Sequence, residues 1–221
     1  MEVNDVTIKK VASQCFRNVF RTSTAETGFY HIDLGKNSTP FEFRTFMTDL
    51  KKELSTLSAS TFNKNLSYHW LVRFDQQVNT PFHIDNAGHQ SFLLLGYEPT
   101  EIESELHLAD YHKYANDSDD AENFAANFTP VFKGDEALLA PYVTKISAIK
   151  KDTYSIVIMN NSSPQVHQET LGVFHKAVII KQDLSKSRIV NSMVLNMTTD
   201  DETVEDRYRE EKFLNNTAIS K

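Results

Sequence analysis

Cysteine is almost missing from this chain of 221 residues: Cys15 stands alone. An internal disulfide and a cysteine-based zinc site are therefore excluded. Long apolar runs are missing too. Ile156-Val157-Ile158-Met159 is typical of those present, far short of the roughly 20 residues a membrane helix needs. The start, Met1-Glu2-Val3-Asn4-Asp5, is acidic and lacks the basic-then-apolar order of a secretory signal. A cytoplasmic location and no membrane partner are the expectation. Positive charge is scarce, with a formal net charge of −7 and only isolated pairs at Lys9-Lys10, Lys51-Lys52 and Lys150-Lys151. A nucleic acid partner, which calls for a basic face to neutralise phosphates, is disfavoured.

What is present is globular. Hydrophobic residues make up 40% of the chain, with 15 Phe and 8 Tyr. That length and composition suit one domain over 1–221 with a sizeable core. Val6-Thr7-Ile8 and Gly28 to Asp33 lean towards strand. Gly35 to Ser38 reads as a loop, and Thr39-Pro40 as a helix start. Phe41, Phe43, Phe46, Met47, Leu50 and Leu54 then recur at helical spacing, which predicts an amphipathic helix over 40–57 whose apolar stripe is a packing face. From Leu66 the period drops to two: Leu66, Tyr68, Trp70, Val72 and Phe74 alternate with Ser67, His69, Leu71, Arg73 and Asp75.

Further strands are predicted over 90–97, 143–149, 153–160, 172–181 and 188–197, separated by polar turns. Ile102 to Tyr114 suits strand or helix, and Asp135 to Tyr142 a short helix. Asn116 to Asp120 reads as a solvated acidic loop, because no Gly sits where a calcium loop turns sharply. Asp200 to Asn216 is charged and reads as a helical tail. Many short strands behind one helix point to a mainly β fold, an antiparallel sandwich or jelly roll with flanking helices. Its core would span about 66–197, with the strands and helix of 1–57 in front and the tail of 200–216 behind.

The chemistry concentrates at Thr80-Pro81-Phe82-His83-Ile84-Asp85-Asn86. In an extended segment, residues i and i+2 share a face, so His83 and Asp85 can address one metal ion. The motif alone is weak: the composition predicts about one half such triplet by chance, and His31-Ile32-Asp33 is a second. Two ligands do not close a site. The strand over 172–181 offers His175, in phase with Val173, Ala177 and Ile179, while His167 lies in the polar run from Pro164 to Glu169. Two imidazoles and one carboxylate on one face suit non-haem iron(II), with positions left open. Thirteen residues after His175 stands Arg188, with Val190 and Ser192 on its side of the strand. A buried guanidinium there calls for an anion, and a carboxylate fits its fork. Taken singly, each residue has a plainer reading: His83 and His175 as hydrogen-bonded core histidines, Asp85 as a turn cap, Arg188 as the partner of Asp183. Trp70 and Tyr97 read as core residues, and Cys15 as an inert packed thiol.

In this order, His83-x-Asp85, His175 and Arg188 resemble the iron(II)- and 2-oxoglutarate-dependent oxygenases, over roughly residues 66–197. The resemblance implies a double-stranded β-helix of cupin-like type. It implies His83, Asp85 and His175 as catalytic metal ligands and Arg188 as the partner of the distal carboxylate of 2-oxoglutarate. Arg73 and Ser192 would add hydrogen bonds to that cosubstrate. Some members carry Arg-x-Ser, whereas here Val190 holds that place and Ser192 comes two later. The implied reaction consumes molecular oxygen, releases succinate and carbon dioxide, and hydroxylates a small molecule, an amino acid or a peptide. Two other classes fit the same scaffold: a ligand-binding cupin without iron, and a metalloenzyme that does not use 2-oxoglutarate.

Overall fold

The computed structural model describes residues 5–118, 121–146, 151–164, 169–200, 204–215 and 218–220. The architecture is mainly antiparallel β, with eight strands in two sheets among these residues and helices on the outer faces. The elements in order are α1 (Asp5–Val19), β1 (Phe29–Gly35), α2 (Pro40–Phe62), β2 (Asn65–Asp75), β3 (Ser91–Tyr97), β4 (Ser104–Ala109), α3 (Tyr111–Asp117), α4 (Ala121–Ala126) and α5 (Glu136–Leu139). A 3₁₀ turn (Ala140–Tyr142) follows, then β5 (Val143–Ile146), β6 (Tyr154–Asn160), β7 (Phe174–Ile179), β8 (Ile189–Thr198) and α6 (Val204–Asn215). No helix among the described residues is long and apolar enough to cross a membrane.

The larger sheet runs β1-β6-β3-β8-β2 and the smaller β5-β4-β7. Strands β3, β6 and β8 are buried on both faces, so alternate residues feed two cores. Phe92, Leu94, Ile156, Ile158, Met193 and Leu195 meet the helices, packing with Phe43, Met47 and Leu50 of α2 and with Ala12 and Cys15 of α1. Leu93, Leu95, Val157, Met159, Val190 and Val194 point the other way, where they meet Leu106 and Leu108 of the smaller sheet. At about 25 cal/mol per Å² of buried apolar area, a face lined by such side chains holds the sheets together. A third cluster (Phe82, Ile84, Tyr111, Leu139, Phe174) packs the α3–α5 segment against the smaller sheet.

α2 begins where Thr39-Pro40 indicates. Thr39 Oγ1 accepts from the Glu42 N–H, and the Glu42 carboxylate accepts from the Thr39 N–H, a reciprocal capping box that also holds the Glu42 carboxyl below its usual range. The helix outlasts the expected Leu57 because no breaker precedes Asn63, which ends it in the left-handed region at φ 54°.

Two expectations are corrected. Val6-Thr7-Ile8 is not a strand but part of α1, whose Ile8, Ala12, Cys15 and Val19 form a buried helical stripe. The β-branched residues lean towards strand locally, and burial of that stripe outweighs the preference. Asn116 and Asp117 are not loop but the last turn of α3; that helix and β4 before it occupy Ile102 to Tyr114, the stretch read as strand or helix, with the Asp110 carboxylate capping the junction by accepting from the Lys113 N–H. Residues 147–149 of the expected fifth strand, Asp119 and Asp120 of the acidic loop, and 201–203 and 216 of the tail lie outside the described residues.

Candidate metal centre

The segment after β2 is extended but belongs to no named strand. Thr80 N–H donates to the Ala177 carbonyl, and His83 and His175 exchange both backbone hydrogen bonds, at 2.9 and 2.8 Å. Residues that exchange both bonds across an antiparallel ladder stand directly opposite each other with side chains on one face. Asp85, two residues on, joins that face. The ligand atoms of His83, Asp85 and His175 all lie within 4.8 Å of one another, and this is the one such group of three among the described residues. The two rings sit 4.1 Å apart, centroid to centroid.

Neighbours hold two of the three residues, His83 and Asp85, in place. His83 Nδ1 donates to the Pro81 carbonyl at 2.9 Å, which leaves Nε2, 3.6 Å from Asp85 Oδ1, as the nitrogen that could coordinate a metal. Asp85 is held through its backbone: its N–H donates to Asn161 Oδ1 at 2.8 Å, and its carbonyl accepts from Asn161 Nδ2 at 3.0 Å. His175 is 6% exposed. Burial, and then the nearby His83 charge, push its pKa down to about 4, so it is a neutral imidazole with a free lone pair at neutral pH. For His83, burial acts downward, but the Asp85 hydrogen bond and charge and the neighbouring carbonyls carry the net shift upward. For Asp85, burial acts upward and is outweighed by the His83 hydrogen bond and by the two imidazoles, for a net shift downward.

The triad opens on a cavity of about 140 Å³ between the sheets. Trp70, Val72, Phe74, Leu95, Leu106 and Ala177 supply apolar wall; Gln76, Thr80, Tyr97 and Ser192 supply polar groups. Ser192 Oγ accepts from the Trp70 indole N–H. Trp70 and Tyr97, which read as plain core, thus also face the cavity.

Arg188 is fully buried at the start of β8, against two of the lining residues. Its guanidinium lies over the Tyr97 ring at 5.0 Å. Nε donates to Ser104 Oγ, and Nη1 to the Gln76 carbonyl and side-chain Oε1. Nη2 has no partner. The expected alternative partner, Asp183, is engaged with Ser185 instead.

Other sequence-derived candidates fall elsewhere. Arg73 does not reach the cavity. It projects to the helix side of the sheet, with Nε and Nη2 on the two oxygens of Glu98 at 2.9 and 3.0 Å. Strand alternation demands this, since Val72 and Phe74 on either side of it line the cavity. His31 and Asp33 lie on β1, at the far edge of the larger sheet, and Asp33 Oδ1 accepts from the Gly35 N–H. His167 lies outside the described residues. Sequence reasoning missed Asn161, Gln76, Ser104 and Thr80. Their only signal was membership of the polar stretches that flank or join the strands. No known protein family and no curated protein matches this sequence.

Proposed function

We propose that the protein is an iron(II)- and 2-oxoglutarate-dependent oxygenase that hydroxylates a small molecule, an amino acid or a peptide. The observation that carries the reading is a His-Asp-His face opening on an internal cavity that is backed by a buried arginine with no ion-pair partner among the described residues. Two imidazoles and a carboxylate on one face suit iron(II), and one of the imidazoles, His175, is neutral at neutral pH. The unpartnered Nη2 of Arg188 suits a carboxylate, because a buried donor left unpaired is costly.

Strand order supports a double-stranded β-helix. With residues 80–84 counted as the second element after β2, one sheet reads first-eighth-third-sixth (β2-β8-β3-β6). The other reads second-seventh-fourth-fifth (80–84, β7, β4, β5). This order supports a jelly-roll winding between the two sheets, with β1 as an added outer strand beside β6.

In this reading His83, Asp85 and His175 hold the metal. Arg188 receives the distal carboxylate of 2-oxoglutarate, and Ser192 and Tyr97, which line the cavity, would add hydrogen bonds to it. Gln76 Oε1, which now accepts from Nη1, turns aside if both Nη atoms engage the carboxylate. The apolar wall of Val72, Phe74, Leu95 and Leu106 keeps bulk water out. When bound, iron(II) with 2-oxoglutarate and oxygen supplies oxidative decarboxylation: one oxygen atom enters succinate, carbon dioxide leaves, and the other atom becomes the substrate hydroxyl.

The test is an anaerobic titration of the metal-free protein with iron(II) and then 2-oxoglutarate, read by the visible metal-to-ligand charge-transfer band and by the fluorescence of Trp70, the only tryptophan. The parent develops the band. His83→Ala does not. Arg188→Ala keeps metal binding but weakens 2-oxoglutarate by about 10- to 100-fold, the value of a charged hydrogen-bonded contact. Iron binding without a band in the parent overturns this reading. It favours the second one, a metalloenzyme that does not use 2-oxoglutarate. One observation speaks for that alternative: Arg188 is not itself a lining residue, and its Nε and Nη1 already have protein partners.

A further inference from the structure

We infer that Asn161 is the positioning residue of the carboxylate ligand: its side-chain amide, anchored on the larger sheet, sets where Asp85 stands relative to the two histidines. The inference rests on the metal-centre part of the proposed function and not on the identity of the cosubstrate.

Asp85 has no strand partner of its own. His83 is tied to β7, but two residues later the chain leaves the ladder. The side chain of Asn161 takes over the part of a partner strand. Its Oδ1 accepts from the Asp85 N–H and its Nδ2 donates to the Asp85 carbonyl, so one amide satisfies both backbone groups of the ligand residue. The partners fix the amide orientation, because Oδ1 faces a donor and Nδ2 faces acceptors.

The anchor is rigid. Asn161 follows β6 directly and is 1% exposed. Its N–H donates to the Ser91 carbonyl, Ser91 Oγ donates to its carbonyl, and its Nδ2 also donates to Ser91 Oγ at 2.9 Å. The histidines therefore come from the smaller sheet, while the carboxylate is registered by the larger one. The adjacent Asn160 is an internal control. It is equally buried and bonded, but its side chain is turned to other partners: Nδ2 reaches the Val19 carbonyl and Oδ1 the Ser162 N–H.

The experiment measures cobalt(II) affinity and the cobalt d–d spectrum in the parent and in Asn161→Ala, Asn161→Ser, Asn160→Ala, Asp85→Ala and Asp85→Ala/Asn161→Ala, with metal-free thermal unfolding alongside. Asn161→Ala loses about 10- to 100-fold in affinity, the usual cost of removing the support of a metal ligand, and its spectrum moves towards that of Asp85→Ala. Asn161→Ser, a smaller change for the fold, moves in the same direction. Asn160→Ala lowers the unfolding midpoint but leaves affinity within about twofold. With Asp85 already removed, losing Asn161 costs no more than about twofold further, the non-additivity expected of residues acting as a unit. A parent that binds no cobalt overturns the metal centre and this role with it. A parent that binds cobalt while the folded Asn161 variants match it in affinity and spectrum overturns this role alone.

Discussion

His112 is a half-buried imidazole outside the candidate metal centre. Its Nε2 has no hydrogen-bond partner among the described residues, and its ring packs against Tyr111 with centroids 4.4 Å apart. Burial first, then the charge of Arg21, push its pKa down to about 4, with Asp110 opposing. In the unfolded chain a histidine titrates near 6.5. As pH falls from 6.5 towards 4, the unfolded state takes up a proton that the folded state refuses, so stability is fully present above 6.5 and drains away across that window. The expected loss by pH 4 is on the order of 2 kcal/mol, at roughly 1.4 kcal/mol for each pH unit that separates the two titrations and allowing for partial exposure. Urea unfolding of the parent and of His112→Phe from pH 7.5 to 4.5 tests this. The variant shows a shallower acid limb but keeps the part due to His175, whose pKa is lowered in the same way. An unchanged limb removes His112 from the account.

At the scale of elements, β2 shows how a period can be legible and still misassign a face. Leu66 and Tyr68 pack against the helices, yet Trp70, Val72 and Phe74 line the cavity. The pairing with β8 shifts register between Tyr68 and Trp70, where Tyr68 opposes Leu195 and Trp70 opposes Val194. This bulge inserts one residue and reverses which side the alternate residues face. β7 depends on a different device. A Cβ at Gly172, just before the strand, would collide with the Ser162 carbonyl oxygen and the Tyr111 hydroxyl. One of those atoms is backbone, so the strand start must move. Gly172→Ala is expected to cost more than about 2 kcal/mol, at the upper part of the range for overpacking, and to weaken cobalt binding through His175. Denaturant midpoints with a metal titration check it; a neutral substitution means the loop yields freely.

At the scale of the molecule, Arg21 ties the N-terminal helix region to the smaller sheet. Its guanidinium is fully buried, pairs with both oxygens of Asp110 and donates to the carbonyls of Glu26, Leu171 and Gly172. The contact joins the chain after α1, the β4–α3 junction and the approach to β7, so it braces the smaller sheet from outside the cavity. Arg21→Ala leaves Asp110 buried without its counter-charge and is expected to destabilise by about 3–5 kcal/mol. An Arg21→Met/Asp110→Leu double variant recovers much of that loss if the cost is the stranded charge. Equal losses in the single and double variants, measured by urea unfolding, would mean instead that the carbonyl contacts carry the stability.

Much of this protein was legible in local pattern. α2 announces itself through Thr39-Pro40 and a helical stripe, and the later strands through period-two runs between polar turns. His83 and Asp85 share a face because any extended chain puts i and i+2 together. What local pattern does not contain is pairing. That His83 stands opposite His175 follows from one ladder across 92 residues of separation. The reversal of faces in β2 follows from a bulge that exists only against β8. α1 is a helix because its stripe has a sheet to cover, which overrides the local lean of Val6-Thr7-Ile8. Arg73 on β2 and Arg188 immediately before the neighbouring β8 are both arginines, yet one meets Glu98 on the helix side and the other lies buried against the cavity. Asn161 reaches Asp85 across 76 positions, through a side chain whose importance depends on where a distant loop leaves its ladder. Side-chain periodicity is encoded within a strand, whereas register, facing and long-range hydrogen bonds arise only when strands meet.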